Sequence, residues 1–501
     1  MSLRMSALLL ASATALIHVV ANPHYGFFRD ELYFIICGIH PQWGYVDQPP
    51  IVPLLAAVSQ SFGHSLLLLR LVPALFAAGG VYVTCLLVVE FGGGLFAQLI
   101  AALVFFFTPV LCSFGMKVGT DETGLLFWPL IALLLVRITR GADPRFWLLI
   151  GFLAGLSIES KYSVLFFLVA LVIGVLITNE RRILLSRWAA AGAAIALLVA
   201  LPNFLWQWNN GFPMLELLRN GQSSKNLIPS PPLYAIQELF ITNPLLALEW
   251  IVGLIWLLCT PRLRFLSYAY LVLIVEMLLF HGKHYYPANI YPILIAAGAI
   301  PIERWTARRQ IARIPIVAYA VVAGILVIPD VLPILPEDSY IAFAAERGRI
   351  THVTGKTTET EHGREDNLLP ADWADMHGWP EMAAAAKAAY ESLPPMERRD
   401  AVVFAGNYGE ASAVAFFAPD VPVISEHNQY WLWGMQGYNA RTLVQINGSC
   451  FQSDHLYASR TRFATLKNRY AIHYENDIPI WICRGPKYPL ARIWPNLKSY
   501  Q

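Results

Sequence analysis

Acidic residues beside an arginine open the first polar stretch of the chain, directly after an apolar run. Arg29, Asp30 and Glu31 lie between aromatic residues, and Asp47 follows shortly before a proline pair. A charge costs about 2.5–3.5 kcal/mol at the centre of a membrane helix and less at the interface. The pattern indicates either a carboxylate that takes a proton from a substrate hydroxyl or a solvated, salt-bridged loop, and it favours the two equally.

Two lysines interrupt later apolar runs, and each is followed by aromatic residues. Lys161 precedes Tyr162, and Lys283 precedes His284 and Tyr285. Lysine binds phosphate as a point charge, whereas a lysine at a membrane boundary often only extends its amine to water. We expect both lysines to hold an anionic headgroup, with His284 and Tyr285 in support.

Two more charged residues stand next to apolar segments. Asp121 precedes one such segment, where it could bind a substrate or simply cap the following helix, a role that also suits Thr120. Arg70 lies just inside another segment and could bind phosphate or extend from the helix end to water. We include Asp121 and Arg70 among the predicted substrate-binding residues.

The composition indicates a membrane protein. Hydrophobic residues make up 56% of the chain and charged residues only 14%, with a mean hydropathy of +0.49, whereas a soluble domain carries about 25% charged residues. The net charge of +2 over 501 residues argues against a nucleic-acid partner. The length allows a membrane domain and one additional domain of about 150 residues.

Apolar runs that could form membrane helices fill the first 330 residues. We predict about eleven, at 6–22, 64–90, 94–111, 123–138, 146–158, 162–178, 187–206, 244–260, 265–281, 285–303 and 312–329. The first could instead be a signal peptide, since Arg4 precedes a short apolar run.

The loops between these segments differ in positive charge. With the N-terminus inside, the inner loops hold twelve lysines and arginines and the outer loops six, which favours a cytoplasmic N-terminus. An odd number of spans then places the C-terminus outside. All candidate residues named above fall at that outer face.

Residues 331–501 differ in composition from residues 1–330, because they contain more charged residues and alternating short apolar runs. We predict a mixed α/β soluble domain there, on the outer side, after a membrane domain at 1–330. The polar stretch 355–367 is predicted to be a loop. None of the six cysteines makes a CxxC pair, so a zinc site is unsupported. Cys450 and Cys483 could form a disulfide in an oxidising compartment or remain two thiols.

The motifs taken together resemble those of bacterial family 39-like glycosyltransferases, which have the GT-C fold. This group includes the protein O-mannosyltransferases and the lipid A aminoarabinose transferases. The resemblance covers about residues 6–330. It rests on the motifs Arg29–Tyr33, the Pro-Pro after Asp47, Arg70–Pro73, Thr120–Glu122, Lys161-Tyr162 and Lys283–Pro287. Two later runs, 407–410 and 425–434, resemble the C-terminal region of one bacterial subgroup and could stack on a sugar or form a structural turn.

The resemblance implies a polyprenyl-phosphate-linked sugar as donor and a lipid, glycan or protein as acceptor, in a multi-pass protein of the inner membrane with a periplasmic C-terminal domain. Asp30 and Glu31 would be the catalytic carboxylates. Asp30 would act as general base on the acceptor hydroxyl, with inversion at C1, or would only orient an acceptor that is already a phosphate.

The remaining roles follow from the same resemblance. Glu31, Asp47 and Asp121 would position hydroxyl groups, while Lys161 and Lys283 would bind the donor phosphate. No cofactor is implied. Asp30, Glu31 and Asp121 carry the oxygen ligands that hard cations prefer, but we do not expect a metal to be required.

A secondary transporter, or a flippase for lipid-linked glycans, is the main alternative. A transporter would carry ionisable residues near the bilayer midplane, whereas the acidic clusters here fall in outer loops. We identify Glu90 and Glu276 as the only acidic candidates within the predicted spans, and Glu90 lies near an inner end. This distribution favours an enzyme.

Overall fold

The computed structural model describes residues 2–224, 230–351, 358–360, 363–365, 367–448, 450 and 456–501. The larger N-terminal part is a bundle of helices, and a β-sheet lies in the C-terminal part. In the described residues the α-helices are α1 (Leu3–Ala21), α2 (Arg29–Ile39), α3 (Ile51–Gln60), α4 (Leu66–Glu90), α5 (Leu95–Phe107), α6 (Pro109–Phe114), α7 (Glu122–Thr139), α8 (Phe146–Ile158), α9 (Val164–Leu176), α10 (Arg187–Asn209), α11 (Pro213–Ser224), α12 (Pro231–Ile241), α13 (Ala247–Cys259), α14 (Arg264–Leu279), α15 (Tyr291–Thr306), α16 (Arg313–Ile325), α17 (Glu337–Thr351), α18 (Ala371–Ala374), α19 (Trp379–Glu391), α20 (Pro395–Arg398), α21 (Tyr408–Phe417), α22 (Asn428–Trp433) and α23 (Leu490–Ile493). The strands are β1 (Thr358–Thr360), β2 (Gly363–Glu365), β3 (Ala401–Ala405), β4 (Val423–Ser425), β5 (Thr442–Ile446), β6 (Tyr457–Leu466) and β7 (Ile478–Pro486).

Each of the eleven predicted membrane segments coincides with a helix. By length and composition, five helices of the described chain can cross a membrane, or six if α9 and the bent 3-10 helix that follows it form one span. The helices α5, α8 and α13 are apolar but have only 13 residues each, about 20 Å of helix against about 30 Å of hydrocarbon. The multi-pass helical architecture is confirmed, whereas the number eleven is not.

Small residues let two of the bundle helices approach closely. A Cβ added to Gly151 of α8 would lie 2.0 Å from the carbonyl oxygen of Gly192 in α10, so neither position can carry a larger side chain without moving the backbones apart. This contact sets the position of α10 relative to α8. Helix α10 carries Asn203, whose side chain hydrogen bonds to the hydroxyl of Tyr162 and the carbonyl of Trp43.

The C-terminal sheet has the strand order β4-β3-β5-β7-β6. Strand β3 runs parallel to β4 and β5, while β7 pairs antiparallel with both β5 and β6. The strands β3 and β5 are buried along their whole length, as expected for a sheet covered on both faces. This mixed α/β unit agrees with the prediction, and the boundary at residue 330 stays a prediction.

Two local predictions from the sequence, a disulfide and a loop, can be compared with the structure in this region. Cys450 and Cys483 form a disulfide with a Cα–Cα distance of 6.1 Å, which decides between the two alternatives left open. Of the polar stretch predicted as a loop, residues 355–357, 361, 362 and 366 lie outside the described residues. The described part forms the short antiparallel pair β1 and β2.

Candidate active site

A buried ion pair fixes the loop between α1 and α2. Glu31 lies in the first turn of α2 and accepts a hydrogen bond of 2.9 Å from the backbone N–H of Phe28, which suits a carboxylate at a helix N-terminus. Arg70 donates to both oxygens of Glu31, at 3.0 and 2.9 Å, and neither side chain is exposed. The same guanidinium donates to the carbonyl oxygens of Asn22, His24 and Gly26.

This burial changes the interpretation of both residues. The sequence predicted Glu31 to be catalytic and Arg70 to bind substrate, but neither presents any surface to a substrate. Glu31 also accepts a hydrogen bond of 3.1 Å from the backbone N–H of Val118, which lies in the loop before α7. We therefore assign the pair to holding together the loop before α2 and the loop before α7.

Asp30 is half-buried beside this pair. Its Oδ1 accepts a hydrogen bond of 2.7 Å from the hydroxyl of Tyr408, which belongs to the C-terminal domain. Among the described residues, none donates to Oδ2 of Asp30. One carboxylate oxygen of Asp30 is therefore available to a substrate hydroxyl.

Asp47 is also half-buried, but both of its oxygens have partners. Tyr33 donates its hydroxyl to Oδ1 at 3.0 Å, and Asn428 donates its amide to Oδ2 at 3.1 Å. Burial raises the pKa of Asp47 to about 7, although the two hydrogen bonds oppose this rise and the nearby Asp30 adds to it. Since its oxygens are already bonded, Asp47 is suited to positioning rather than to proton abstraction.

Two neighbouring tyrosines, whose rings are tilted by 38° to each other, link the two carboxylates. The rings of Tyr33 and Tyr408 lie 4.6 Å apart between centroids. Each hydroxyl donates to a different aspartate, since Tyr408 bonds Asp30 and Tyr33 bonds Asp47. The aspartates are thereby held on either side of one aromatic pair.

The cationic part of the site centres on Lys161. Its Nζ lies 2.7 Å from Oδ2 of Asp121, so this predicted pair of ligands is brought together. The same amine lies over the rings of Tyr285 and Tyr286, at 5.3 and 4.8 Å from their centroids. Lysine and aromatic faces attract at these distances.

Lys283 and His284 flank the same tyrosines. Nζ of Lys283 lies 6.0 Å from the ring centroid of Tyr285, which is therefore shared by both predicted phosphate lysines. His284 contacts the edge of Tyr285 at 5.9 Å. Burial and the neighbouring Lys283 lower the pKa of His284, which favours a neutral imidazole.

Hydrogen bonds join the loop around Asp47 to the loop around Lys161. The backbone N–H of Ile51 donates to the carbonyl of Glu159 at 3.0 Å. Asn203, near the C-terminal end of α10, accepts from the hydroxyl of Tyr162 at 2.6 Å and donates to the carbonyl of Trp43 at 2.9 Å. The carboxylates and the cations therefore belong to one connected cluster of loops.

The C-terminal domain is anchored to the first loop by Arg29. Its guanidinium pairs with Asp375 at 2.8 Å and donates to the hydroxyl of Tyr474 at 2.6 Å. Burial raises the pKa of Asp375 to about 8, against the opposing effect of Arg29. The backbones also approach closely, because a Cβ on Gly26 would lie 2.1 Å from the carbonyl oxygen of Met376.

Several residues of this region were not predicted from the sequence to have a role in the site. Tyr33, Tyr408 and Asn428 contact the site carboxylates; all three lie in runs that the sequence analysis names, but none of them was predicted to be a site residue. Glu249 falls within the predicted span 244–260 and is buried in α13, so the set of acidic residues weighed against transport was incomplete. Among the described residues no three potential ligands converge on a metal site. The expectation that no metal is required stays a prediction.

The chain matches known proteins in part of its sequence and in its fold. Residues 47–206 match the family described as dolichyl-phosphate-mannose-protein mannosyltransferase, a range that contains Asp47, Arg70, Asp121 and Lys161. No curated protein matches the chain in sequence. The structure of ArnT from Cupriavidus metallidurans bound to undecaprenyl phosphate superposes with a TM-score of 0.61 at 13% identity, over 96% of this chain and 99% of that one.

The chain has the GT-C fold. The same ArnT in its apo state also superposes with a TM-score of 0.61 at 13% identity, over 97% of this chain and 100% of that one. Together with the family match, this confirms the predicted resemblance to GT-C glycosyltransferases of the family 39-like group. The likeness in fold includes the C-terminal domain, which the resemblance of the membrane motifs did not cover.

Proposed function

We propose that this chain is a membrane glycosyltransferase that moves a sugar from a polyprenyl-phosphate-sugar donor to an acceptor at the outer face of the inner membrane. The protein with the similar fold is described as bound to undecaprenyl phosphate, which supports a lipid phosphate as the donor's carrier. The family match to dolichyl-phosphate-mannose-protein mannosyltransferases supports the same donor class.

The observation that carries the proposal is the pairing of an available carboxylate with a cationic cluster. Asp30 keeps one oxygen without a donor among the described residues, whereas Asp47 has both oxygens bonded. Lys161 and Lys283 share Tyr285 on a loop cluster that hydrogen bonds tie to the loop of Asp47. A base for a hydroxyl and cations for a phosphate are the two groups that this transfer needs.

The proposed reaction uses these groups in one displacement. Asp30 takes the proton of the acceptor hydroxyl while that oxygen attacks C1 of the sugar and inverts it. The bond from C1 to the phosphate oxygen breaks, and the electron pair leaves with the lipid phosphate. Lys161 and Lys283 stabilise the charge that the phosphate gains, while Asp47 and Asp121, with His284 and Tyr285, position the sugar and the acceptor.

Two observations support an extracytoplasmic site. The loop charges favour a cytoplasmic N-terminus, and the Cys450–Cys483 disulfide suits an oxidising compartment. The charge rule and the disulfide come from different parts of the chain and agree on the side of the C-terminal domain.

The test is transfer of radiolabelled sugar from polyprenyl-phosphate-hexoses by membranes that contain wild type, Asp30→Asn or Asp420→Asn. Cell-envelope extract serves as the acceptor. Asp420 is the matched control, since it pairs with Lys387 on the surface of the C-terminal domain. We expect Asp30→Asn to lose about 10²–10⁴-fold in rate, and the control to keep wild-type rates.

Other outcomes discriminate between the alternatives. Equal transfer by wild type and Asp30→Asn would exclude Asp30 as base and favour a phosphate acceptor. Movement of intact labelled donor across the membrane, without transfer, would favour a flippase. A wild-type protein that consumes none of the donors would refute the proposal.

A further inference from the structure

Two sequence runs of the C-terminal domain reach the two half-buried carboxylates of the candidate site. The run Asn407–Glu410 begins helix α21, and the run Ser425–Gly434 contains helix α22. Each of these helices starts with a side chain that donates to one aspartate of the membrane domain: Tyr408 to Asp30, and Asn428 to Asp47.

Tyr408 is held firmly at the start of α21. Asn407 caps the helix, and its Oδ1 accepts from the backbone N–H groups of Gly409 and Glu410 at 2.8 and 3.0 Å. Gly409 lies against Arg29, where an added Cβ would come within 2.3 Å of Cγ. Only glycine permits this approach, which brings the Tyr408 hydroxyl to 2.7 Å from Asp30.

Asn428 is fixed in a comparable way. Its backbone has a φ of +46°, a left-handed conformation that asparagine tolerates better than most residues. The next residue, Gln429, donates its backbone N–H to the Tyr33 hydroxyl at 3.2 Å, and its side chain accepts from the backbone N–H of Val46 at 3.1 Å. The loop that carries Asp47 is therefore bonded to α22 by both backbone and side chains.

We propose that Tyr408 and Asn428 are positioning residues of the active site, so that the C-terminal domain completes a site whose reacting carboxylate lies in the membrane domain. The inference rests on the proposed function. Tyr408 holds one oxygen of Asp30 and thereby fixes the direction of the other toward the acceptor hydroxyl. Asn428 holds Asp47 in the same way, and the contact between the rings of Tyr33 and Tyr408 keeps the two carboxylates in fixed relation.

Substitution of Tyr408 or Asn428 should therefore affect the rate of the chemical step but not the binding of the donor. Neither Tyr408 nor Asn428 contacts Lys161 or Lys283, which we assign to the donor phosphate. Loss of carboxylate orientation lowers the rate of the chemical step, since small misplacements of reacting groups are costly. The KM for the donor should stay constant.

The experiment measures kcat and donor KM for the full-length chain with Tyr408→Phe, and with Tyr390→Phe as the matched control. The Tyr390 hydroxyl donates to the carbonyl of Arg398 at 3.1 Å within the same domain, away from the site. We expect Tyr408→Phe to lower kcat about 10–100-fold, with KM within twofold of wild type. The control should match wild type in both constants.

A second variant tests Asn428 by a pH profile. Asn428→Asp keeps the shape but places an acceptor opposite Oδ2 of Asp47. The amide of Asn428 lowers the pKa of Asp47, so loss of this amide should raise that pKa. The limb of the kcat/KM profile that reports on Asp47, which we expect near pH 7, should therefore move to higher pH. A merely structural role would lower activity equally at every pH.

The outcomes separate the inference from the function on which it rests. Wild-type transfer with unchanged kcat in Tyr408→Phe and an unchanged profile in Asn428→Asp would overturn the inference and leave the proposed function standing. A loss of activity in Tyr408→Phe that comes with a lowered unfolding temperature would also overturn it. If wild type transfers no sugar, the proposed function and the inference fail together.

Discussion

Replacing Arg70 by lysine tests whether the Glu31–Arg70 pair is structural. Arg70 donates five hydrogen bonds to oxygen atoms, two to Glu31 and three to backbone carbonyls. A lysine keeps the charge but offers three donors at a single nitrogen and cannot bind a carboxylate with two parallel bonds. The substitution therefore removes geometry without removing charge.

The magnitude follows from complete burial. Neither side chain of the pair is exposed, so solvent cannot replace the lost bonds. Disrupting a buried ion pair costs about 3–5 kcal/mol. We expect Glu31→Gln, which removes one charge of the pair, to lower the free energy of unfolding by about that amount. Arg70→Lys keeps the charge but leaves buried oxygen atoms without donors, so we expect it to lower the free energy of unfolding by about 1–3 kcal/mol.

The assay compares unfolding temperatures in one detergent, followed by tryptophan fluorescence. Arg484→Lys is the matched control, because Arg484 pairs with Glu397 at 2.7 Å but its side chain is 40% exposed. Exposed pairs contribute about 0–1 kcal/mol, so the control should unfold close to wild type. The opposite result would be an Arg70→Lys variant that has the unfolding temperature of the control but no longer binds the donor. Arg70 would then be a ligand, as the sequence predicted, and the structural reasoning would be wrong.

Three further predictions concern separate parts of the molecule. Burial raises the pKa of Asp47 from 3.8 to about 7, so the folded state binds more protons between these values. Its contribution to stability is present at low pH and is lost as the pH rises through about 7. Asp47→Asn should therefore flatten the fall in unfolding temperature between about pH 4 and 7, and an unchanged slope would contradict the assignment. Lys161→Met removes the cation that pairs with Asp121 and should raise donor KM about tenfold or more. Lys387→Met, on an exposed pair, should not, and an equal change in both would argue against a phosphate site. Cys483→Ser opens a disulfide that spans 33 residues and should destabilise the C-terminal domain by about 3–4 kcal/mol. Calorimetry with and without reductant checks this, and insensitivity of wild type to reductant would refute it.

The positions of the membrane helices could be predicted because lipid imposes a one-dimensional rule. A helix in hydrocarbon needs a continuous apolar run, and all eleven predicted runs are helical. Whether each run crosses the bilayer could not be predicted, since the short helices α5, α8 and α13 have the apolar composition of a span without its length.

The residue types of the candidate site were visible for a related reason. Charges next to hydrocarbon are costly, so Asp30, Asp47, Asp121 and Lys161 stand out in the sequence. The same signal selected Glu31 and Arg70, because a buried structural pair and a ligand pair have the same composition. Only their burial and complete hydrogen bonding separate the two cases.

The sequence by itself determined the class of the molecule, the runs that become helices and the polar residues of the loops between them, since each depends on local composition. The tertiary structure decided which polar residues meet. Tyr408 lies 378 positions from Asp30 along the chain, yet their side chains are hydrogen bonded. No local pattern encodes such a distance, because it depends on how the C-terminal domain packs on the first loop through Arg29 and Asp375. The contacts between the two parts of the chain therefore decide which oxygen atoms of these carboxylates are already hydrogen bonded.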